Sequence, residues 1–342
     1  MKKRICIHYL FLMVVLITTT TFSQKVGTTS MQFLKVMPCA RATAMGDAYS
    51  VLATGSDAVF WNPGGMALVQ GYEFSSTLIV FLFDTKQGAL SYAMSLGDIG
   101  AIGLQMQYID YGVFDEAIAS PMYLRQIPNP GLTGRQFRPF SYLIGVSYAR
   151  SLTDRFSMGV SAKYAHESLL DDAIVSVVTQ EGKTEDVNTF ANTLLFDFGL
   201  QYNTGFRTVR IAASVQNFGA DIKYARESNP APLLFRLGIA ADLIGENSLL
   251  FEQEGFIVRG AFDLFQPNDY TQQMHAGLEY EFANTIALRM GYKFNYDVEG
   301  FTAGGGLHQN FGNVKLSLDY SYGSYGVYLG NVHRISLGVG LL

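Results

Sequence analysis

The sequence predicts an all-β chain: a transmembrane antiparallel β-barrel of about 14 strands with a short helical N-terminal plug. Three observations carry that expectation. From Gly71 to Leu342 apolar and polar residues alternate with a period of two, as they do in strands with one greasy and one polar face. Hydrophobic residues make up 49% of the chain and charged residues 15%, with 35 Gly, 20 Tyr and 25 Phe. Average soluble domains carry roughly 25% charged residues, and the aromatic-rich mixture here suits strands with an interfacial belt. Finally, Met31 to Leu68 is unlike everything after it: it is rich in small residues, holds the only Trp and lacks the alternation.

The chain opens with Lys2, Lys3 and Arg4, an apolar run from Ile5 to Ile17, and small residues at Thr21 and Ser23 before Gln24. This is the pattern of a secretory signal peptide over residues 1–23. The apolar run is short for a membrane-spanning helix of about 20 residues, and no later stretch is a better candidate. Removing the signal leaves 21 basic against 29 acidic residues, a net charge of about −8, which argues against nucleic acid as a partner. Cys6 goes with the signal, leaving Cys39 alone, so neither an intramolecular disulfide nor a cysteine-based zinc site is available.

Residues 24–69 form the expected plug. Ala40–Ser50 suits a closely packed short helix, and Gly55-Ser56-Asp57 a turn. Asn62 followed by Pro63 matches an N-cap and a first helical residue, starting a second short helix through about Leu68. The segment is expected to start on the periplasmic side and lead directly into the first strand.

Residues 70–342 form the expected barrel, with strands near 71–82, 87–96, 100–112, 140–150, 155–167, 191–203, 206–218, 232–243, 255–265, 272–282, 284–296, 299–309, 313–323 and 328–341. Alternation alone does not say which face points inward. Three features favour a membrane barrel, greasy side out: the export signal, aromatic residues near strand ends (Tyr142, Tyr148, Tyr202, Tyr280, Phe282, Tyr320, Tyr322), and loop lengths that alternate. Connections near 151–154, 204–205, 283 and 310–312 are short. Those near 113–139, 168–190 and 219–231 are long, as in outer-membrane barrels with short periplasmic turns and long extracellular loops. The connection near 244–254 is the exception.

The sequence carries almost no motif for catalysis. His166, His275, His308 and His333 form no HExxH pair, and Ser147 and Ser161 lack the second glycine of a nucleophile elbow. No cofactor or metal is expected, and the chain is read as non-enzymatic. The polar strand faces carry both signs of charge. Folding adjacent strands back on each other predicts the lumen pairs Asp197–Arg210, Glu279–Arg289, Arg236–Asp263 and Asp319–Arg334, since opposite charges across a ladder stabilise it. Arg41 in the plug is expected to meet Asp197, Glu279 or Asp319.

The opening stretch, with Gln32-Phe33-Leu34, Ala40-Arg41-Ala42, Ala44-Met45-Gly46-Asp47-Ala48 and Trp61-Asn62-Pro63-Gly64, resembles the N-terminus of the PorV/PorQ family. Later stretches agree, among them Leu288-Arg289-Met290-Gly291-Tyr292-Lys293 and His333-Arg334-Ile335-Ser336-Leu337. The resemblance spans nearly the whole mature chain. It implies a fold similar to the FadL-type fatty-acid channels, fourteen-stranded outer-membrane barrels with an N-terminal plug. Asn62-Pro63 matches the Asn-Pro-Ala motif of those channels, while Gly64 departs from it. Arg41, Gly46, Trp61, Asn62 and Pro63 are carried over as plug residues.

The resemblance implies an outer-membrane, non-enzymatic component of type IX-like protein secretion. Its expected partners are membrane lipid, other secretion-system proteins and secreted cargo domains, met through loops and rim rather than by conduction. Two other functions stay open: a FadL-like channel for small hydrophobic molecules such as fatty acids, and, further off, a secreted soluble β-protein. An apolar pocket inside the barrel opening sideways between strands would favour transport; a plugged lumen with an apolar patch on the rim would favour partner binding.

Overall fold

The computed structural model describes residues 26–118, 131–171, 173–178, 183–224 and 227–341; the expected signal peptide lies outside them. Fourteen antiparallel strands form a closed barrel. The first seven are β1 (Tyr72–Val80), β2 (Lys86–Ser95), β3 (Ala101–Asp110), β4 (Phe140–Thr153), β5 (Phe156–Ser168), β6 (Phe190–Asn203) and β7 (Arg210–Gly219). The rest are β8 (Leu234–Gly245), β9 (Phe256–Pro267), β10 (Gln273–Phe282), β11 (Ile286–Phe294), β12 (Phe301–Phe311), β13 (Val314–Ser324) and β14 (Asn331–Leu341). Each pairs with its chain neighbours, and β1 closes the ring on β14 with Thr77 opposite Ser336.

The inside and outside of the wall follow from the alternation. On β11, Leu288 is 60% exposed and Met290 53%, while the intervening Arg289 is 4% exposed. The greasy face therefore looks outward and the polar face inward, the reverse of a soluble sandwich and the arrangement a bilayer requires. Closure leaves no strand edge unpaired. No helix among the described residues is long and apolar enough to cross a membrane.

At one end the connections are mostly short, such as Asp154–Arg155 and Gly312–Asn313. At the other, three connections carry two-stranded extensions: Phe114–Ile118 with Gly131–Phe137, Ile174–Val178 with Thr184–Asn188, and Ile222–Tyr224 with Glu227–Asn229. The start of β1 and the end of β14 meet at the short-turn end, Tyr72 opposite Leu341. The exceptional connection after β8 stays against the wall there, with Phe251 and Glu252 pairing in parallel with Ile244 and Gly245.

Residues 29–69 lie inside the barrel. Short helical pieces at Gln32–Lys35, Ala40–Ala44, Gly55–Asp57, Ala58–Trp61 and Pro63–Leu68 pack against the inward faces of the strands. The expected helix over 40–50 ends at Ala44, because Gly46 and Asp47 both adopt left-handed backbone conformations, which terminate a helix. The helix after Pro63 forms as expected but is a 3₁₀ helix.

The direction of the segment corrects the expected one. Ser30 donates its N–H to Pro230, and Thr29 and Lys35 bind Asp269. Both partners lie in long-loop-end connections. The segment therefore starts at the long-loop mouth and descends through the lumen to Gly71 at the short-turn mouth.

Candidate functional site

A non-regular segment buried in a lumen has backbone groups that neither helix nor sheet satisfies, and each must find a partner. The wall supplies them. Gln87 and Gln107 both donate to the Val36 carbonyl (3.2 and 2.9 Å), and Gln201 donates to that of Ala53 (2.8 Å). Thr302 donates to the Ala44 carbonyl at 3.0 Å. Ser336 accepts the Ala40 N–H at 2.8 Å, and Asp263 accepts those of Tyr49 and Ser50 at 3.2 and 2.9 Å. The inward polar residues thus serve first as a socket for the segment.

The motif residues form its centre. Trp61 is fully buried, donates Nε1–H to Pro38 at 3.0 Å and meets the Tyr49 ring edge to face at 5.6 Å. Arg236 lays its guanidinium over Trp61 and Phe265, 5.0 and 4.1 Å from the ring centroids, a contact worth about 2 kcal/mol when desolvated. Asn62 does three things at once: Nδ2 donates to the Ser50 and Leu200 carbonyls, and Oδ1 accepts the Gly64 N–H at 3.0 Å. Pro63 begins the 3₁₀ helix against Gly159. A Cβ on Gly64 would stand 2.8 Å from the Gly199 carbonyl oxygen, which accounts for glycine where the channel motif has alanine. Gly46 has φ +66°, and a Cβ there would stand 2.8 Å from the Tyr292 nitrogen.

Arg41 reaches Glu279 through two parallel hydrogen bonds of 2.8 Å, from Nε and Nη2. Glu279 also accepts from Arg289 at 2.6 Å across the β10–β11 ladder, where the two residues stand directly opposite, and from Arg259. Arg289 continues to Asp319 at 2.6 Å, and Asp319 to His308 at 3.3 Å. One buried carboxylate therefore joins the segment to three strands.

The other three expected pairs do not form. Asp197 binds Lys163 at 2.6 Å, while Arg210 stands opposite Asn203, six positions or about 20 Å along the strand. The turn runs from Thr204 to Val209 instead of two residues, and a bulge opposite Asp197 puts Asn217 at φ +62°. Arg236 stands opposite Phe265, and Asp263 opposite Gly238; Asp263 caps the segment instead. Asp319 stands opposite Ser336, and Arg334 opposite Ser321. In each case both residues do face the lumen, but the ladder is shifted by an even number of residues.

Two openings flank the filled section. Below the segment, at the short-turn mouth, lies a polar cavity of about 540 Å³. On the outer wall across β8–β12, the outward side chains of Ile239, Phe262, Leu278, Met290 and Tyr292 border an apolar groove of about 530 Å³. At the long-loop rim, Phe83, Val327 and Tyr328 are 82%, 96% and 97% exposed on two connections joined by a Phe81–Tyr325 ring contact.

The sequence profile of the Type IX secretion system protein PorV matches residues 19–251, more than half of the chain. The chain belongs to the PorV family. No curated protein matches it in sequence. Among solved structures, the P. putida toluene transporter TodX superposes with a TM-score of 0.56 at 13% identity, covering 87% of this chain and 95% of that one. The Ralstonia pickettii toluene transporter TbuX gives 0.51 at 13% identity, covering 89% and 98%. The monoaromatic hydrocarbon channel CymD gives 0.53 at 12% identity, covering 89% and 97%. At these identities the likeness is one of fold, and with the family it makes this chain an outer-membrane β-barrel.

Several residues of this PorV-family lumen carry no local sequence motif. Lys163, Arg259 and the wall glutamines become visible only once register is known. Their one signal in the sequence is position: each sits on the polar side of an alternating strand. Lys293 shows the same limit. It pairs with Asp47 of the segment at 2.6 Å, across a separation no local pattern reveals.

Proposed function

We propose that this PorV-family barrel is an accessory or cargo-handling component of type IX-like protein secretion, exported through its N-terminal signal and acting by binding at the rim instead of conducting or catalysing. The observation that carries this reading is the filled lumen: residues such as Ala42, Met45, Ala58, Val59, Trp61 and Met66 are at most 1% exposed in its midsection. Phe83, Val327 and Tyr328 support it, because neighbouring exposed apolar side chains on a loop rim are typical of partner surfaces. In this reading the long-loop end faces the exterior and the short-turn end the periplasm. The test is a pull-down in gentle detergent with mass spectrometry. Secretion-system proteins or secreted cargo domains should co-purify with wild type and be depleted at least several-fold with Phe83→Ser/Tyr328→Ser. Recovery of the barrel without any such partner would overturn it.

The second reading is a FadL-like channel for small hydrophobic molecules, favoured by the apolar groove on the outer wall and by the transporters that share the fold. It predicts uptake of toluene or a fatty acid by proteoliposomes, reduced by Met290→Asp in the groove. Uptake no faster than in protein-free vesicles would remove it.

A further inference from the structure

We propose that the polar cavity at the short-turn mouth is a binding site for a carboxylate monoanion, with Arg210 as its counter-ion. The cavity measures about 540 Å³, and Arg41, Arg210 and Arg259 all line it. Two of these arginines are neutralised. Arg41 is held by Glu279, and Arg259 by Asp242, Glu279 and Glu281. Arg210 is not: among the described residues its guanidinium makes no hydrogen bond or ion pair. It is half-buried in the wall, so part of its hydration is lost without replacement, a cost that a charged hydrogen bond offsets.

The surrounding groups select the ligand. A guanidinium presents a planar fork of donors that fits carboxylates and phosphates alike. Glu73, Glu281 and Asp319 also line the cavity. They oppose a phosphate dianion more strongly than a monoanion; Lys315 also lines the cavity but is exposed, which leaves Arg210 as the half-buried cation without an ion pair among the described residues. Asn284, Asn310 and Ser317 on the same wall offer neutral donors and acceptors suited to amide groups. The segment closes the inner end with Tyr49, Leu52 and Thr54, so a ligand enters from the short-turn mouth. The carboxylate has two available sources, a small organic acid or an Asp or Glu side chain of a peptide. The inference is independent of whether the barrel serves secretion or uptake.

The test uses full-length protein in detergent and calorimetric titration with four probes: the peptide acetyl-Gly-Asp-Gly-amide, its Asn counterpart, butyrate and inorganic phosphate. The Asp peptide should bind at least ten-fold more tightly than the Asn peptide, which follows from the strength of hydrogen bonds to charged groups. Butyrate equal to the Asp peptide would identify a small acid as the natural source; a clear preference for the peptide would identify a protein segment. Arg210→Gln should lose about ten-fold in affinity for the Asp peptide, and Arg210→Lys should keep part of it. Unheated gel mobility checks that each variant is folded, and the wild-type comparison of Asp with Asn peptide decides the matter without any variant. Equal binding of the two peptides, tighter binding of phosphate, or an Arg210→Gln variant that binds like wild type would each overturn the proposal.

Discussion

Glu279 is 1% exposed and touches three arginines, so its charge is the one the lumen can least spare. Glu279→Gln leaves Arg41 without an anion and weakens the hold on Arg259 and Arg289. Breaking a buried pair on one side costs about 3–5 kcal/mol, and the variant should lose that much in urea unfolding followed by gel mobility; a loss under about 1 kcal/mol would show that the network is not a stabilising one. Gly64→Ala is a steric test of the Asn62-Pro63-Gly64 turn. With 2.8 Å from its Cβ to the Gly199 oxygen, it should cost about 1–3 kcal/mol by overpacking, and an unchanged midpoint would contradict the close approach. At the outer end, burial raises the Asp269 carboxyl pKa, but Lys35 and the Thr29 hydroxyl outweigh it and hold the carboxyl below its ordinary value. A depressed carboxylate pKa means stability that is present above the unfolded value of about 3.9 and lost as pH falls through the folded one. Residues 26–35 should therefore become open to protease in Asp269→Asn at neutral pH, and in wild type only on acidification below about pH 4. Protection that is the same in both proteins would remove this tether.

For single elements, the strands were largely legible and their partners were not. Period-two alternation locates all fourteen barrel strands because one face is always greasy, and together with the membrane features it puts Asp197, Arg236, Asp263, Glu279, Arg289, Asp319 and Arg334 on the lumen side, where they are buried. Register depends on turn length and bulges, and these carry weak sequence signals. Residues 206–209 read as strand, so the sequence suggests a two-residue turn where the chain takes six residues, Thr204 to Val209. Glu279–Arg289 was legible because the connection between β10 and β11 is tight. Asn62-Pro63 was legible as a helix start. The descent of the segment from the long-loop mouth was not, since its anchors Pro230 and Asp269 are about 200 residues or more away in the chain. Deleting 31–68 should still give an inserted barrel, now with Gln87, Gln107, Gln201 and Asp263 facing water, and its single-channel conductance in planar bilayers should rise well above that of the full-length protein. Equal conductance would mean that these residues do not limit passage.

As a whole, the molecule turns its apolar residues outward and uses its polar ones to grip its own beginning. It should fractionate with the outer membrane and shift in gel mobility between unheated and boiled samples; recovery from the soluble periplasmic fraction would contradict the outward greasy face. The grip also constrains the order of assembly. Ala40 hydrogen-bonds Ser336, Thr29 hydrogen-bonds Asp269, and Thr77 reaches across the β1–β14 seam to Ser336. Contacts between the two extremes of a chain form slowly, because the intervening loop must first be closed. Residues 29–69 are translated early, yet their sockets lie round the whole ring, from Gln87 and Gln107 on β2 and β3 to Thr302 and Ser336 on β12 and β14. They must be threaded into the nascent cylinder before the seam zips, since afterwards a closed ring of hydrogen bonds surrounds the space they occupy. In refolding from urea into detergent, this stretch should therefore stay protease-sensitive until the compact gel form appears, and the two signals should rise together. Protection that precedes the gel shift would mean the segment folds alone; protection that lags far behind would mean a finished barrel can still admit it.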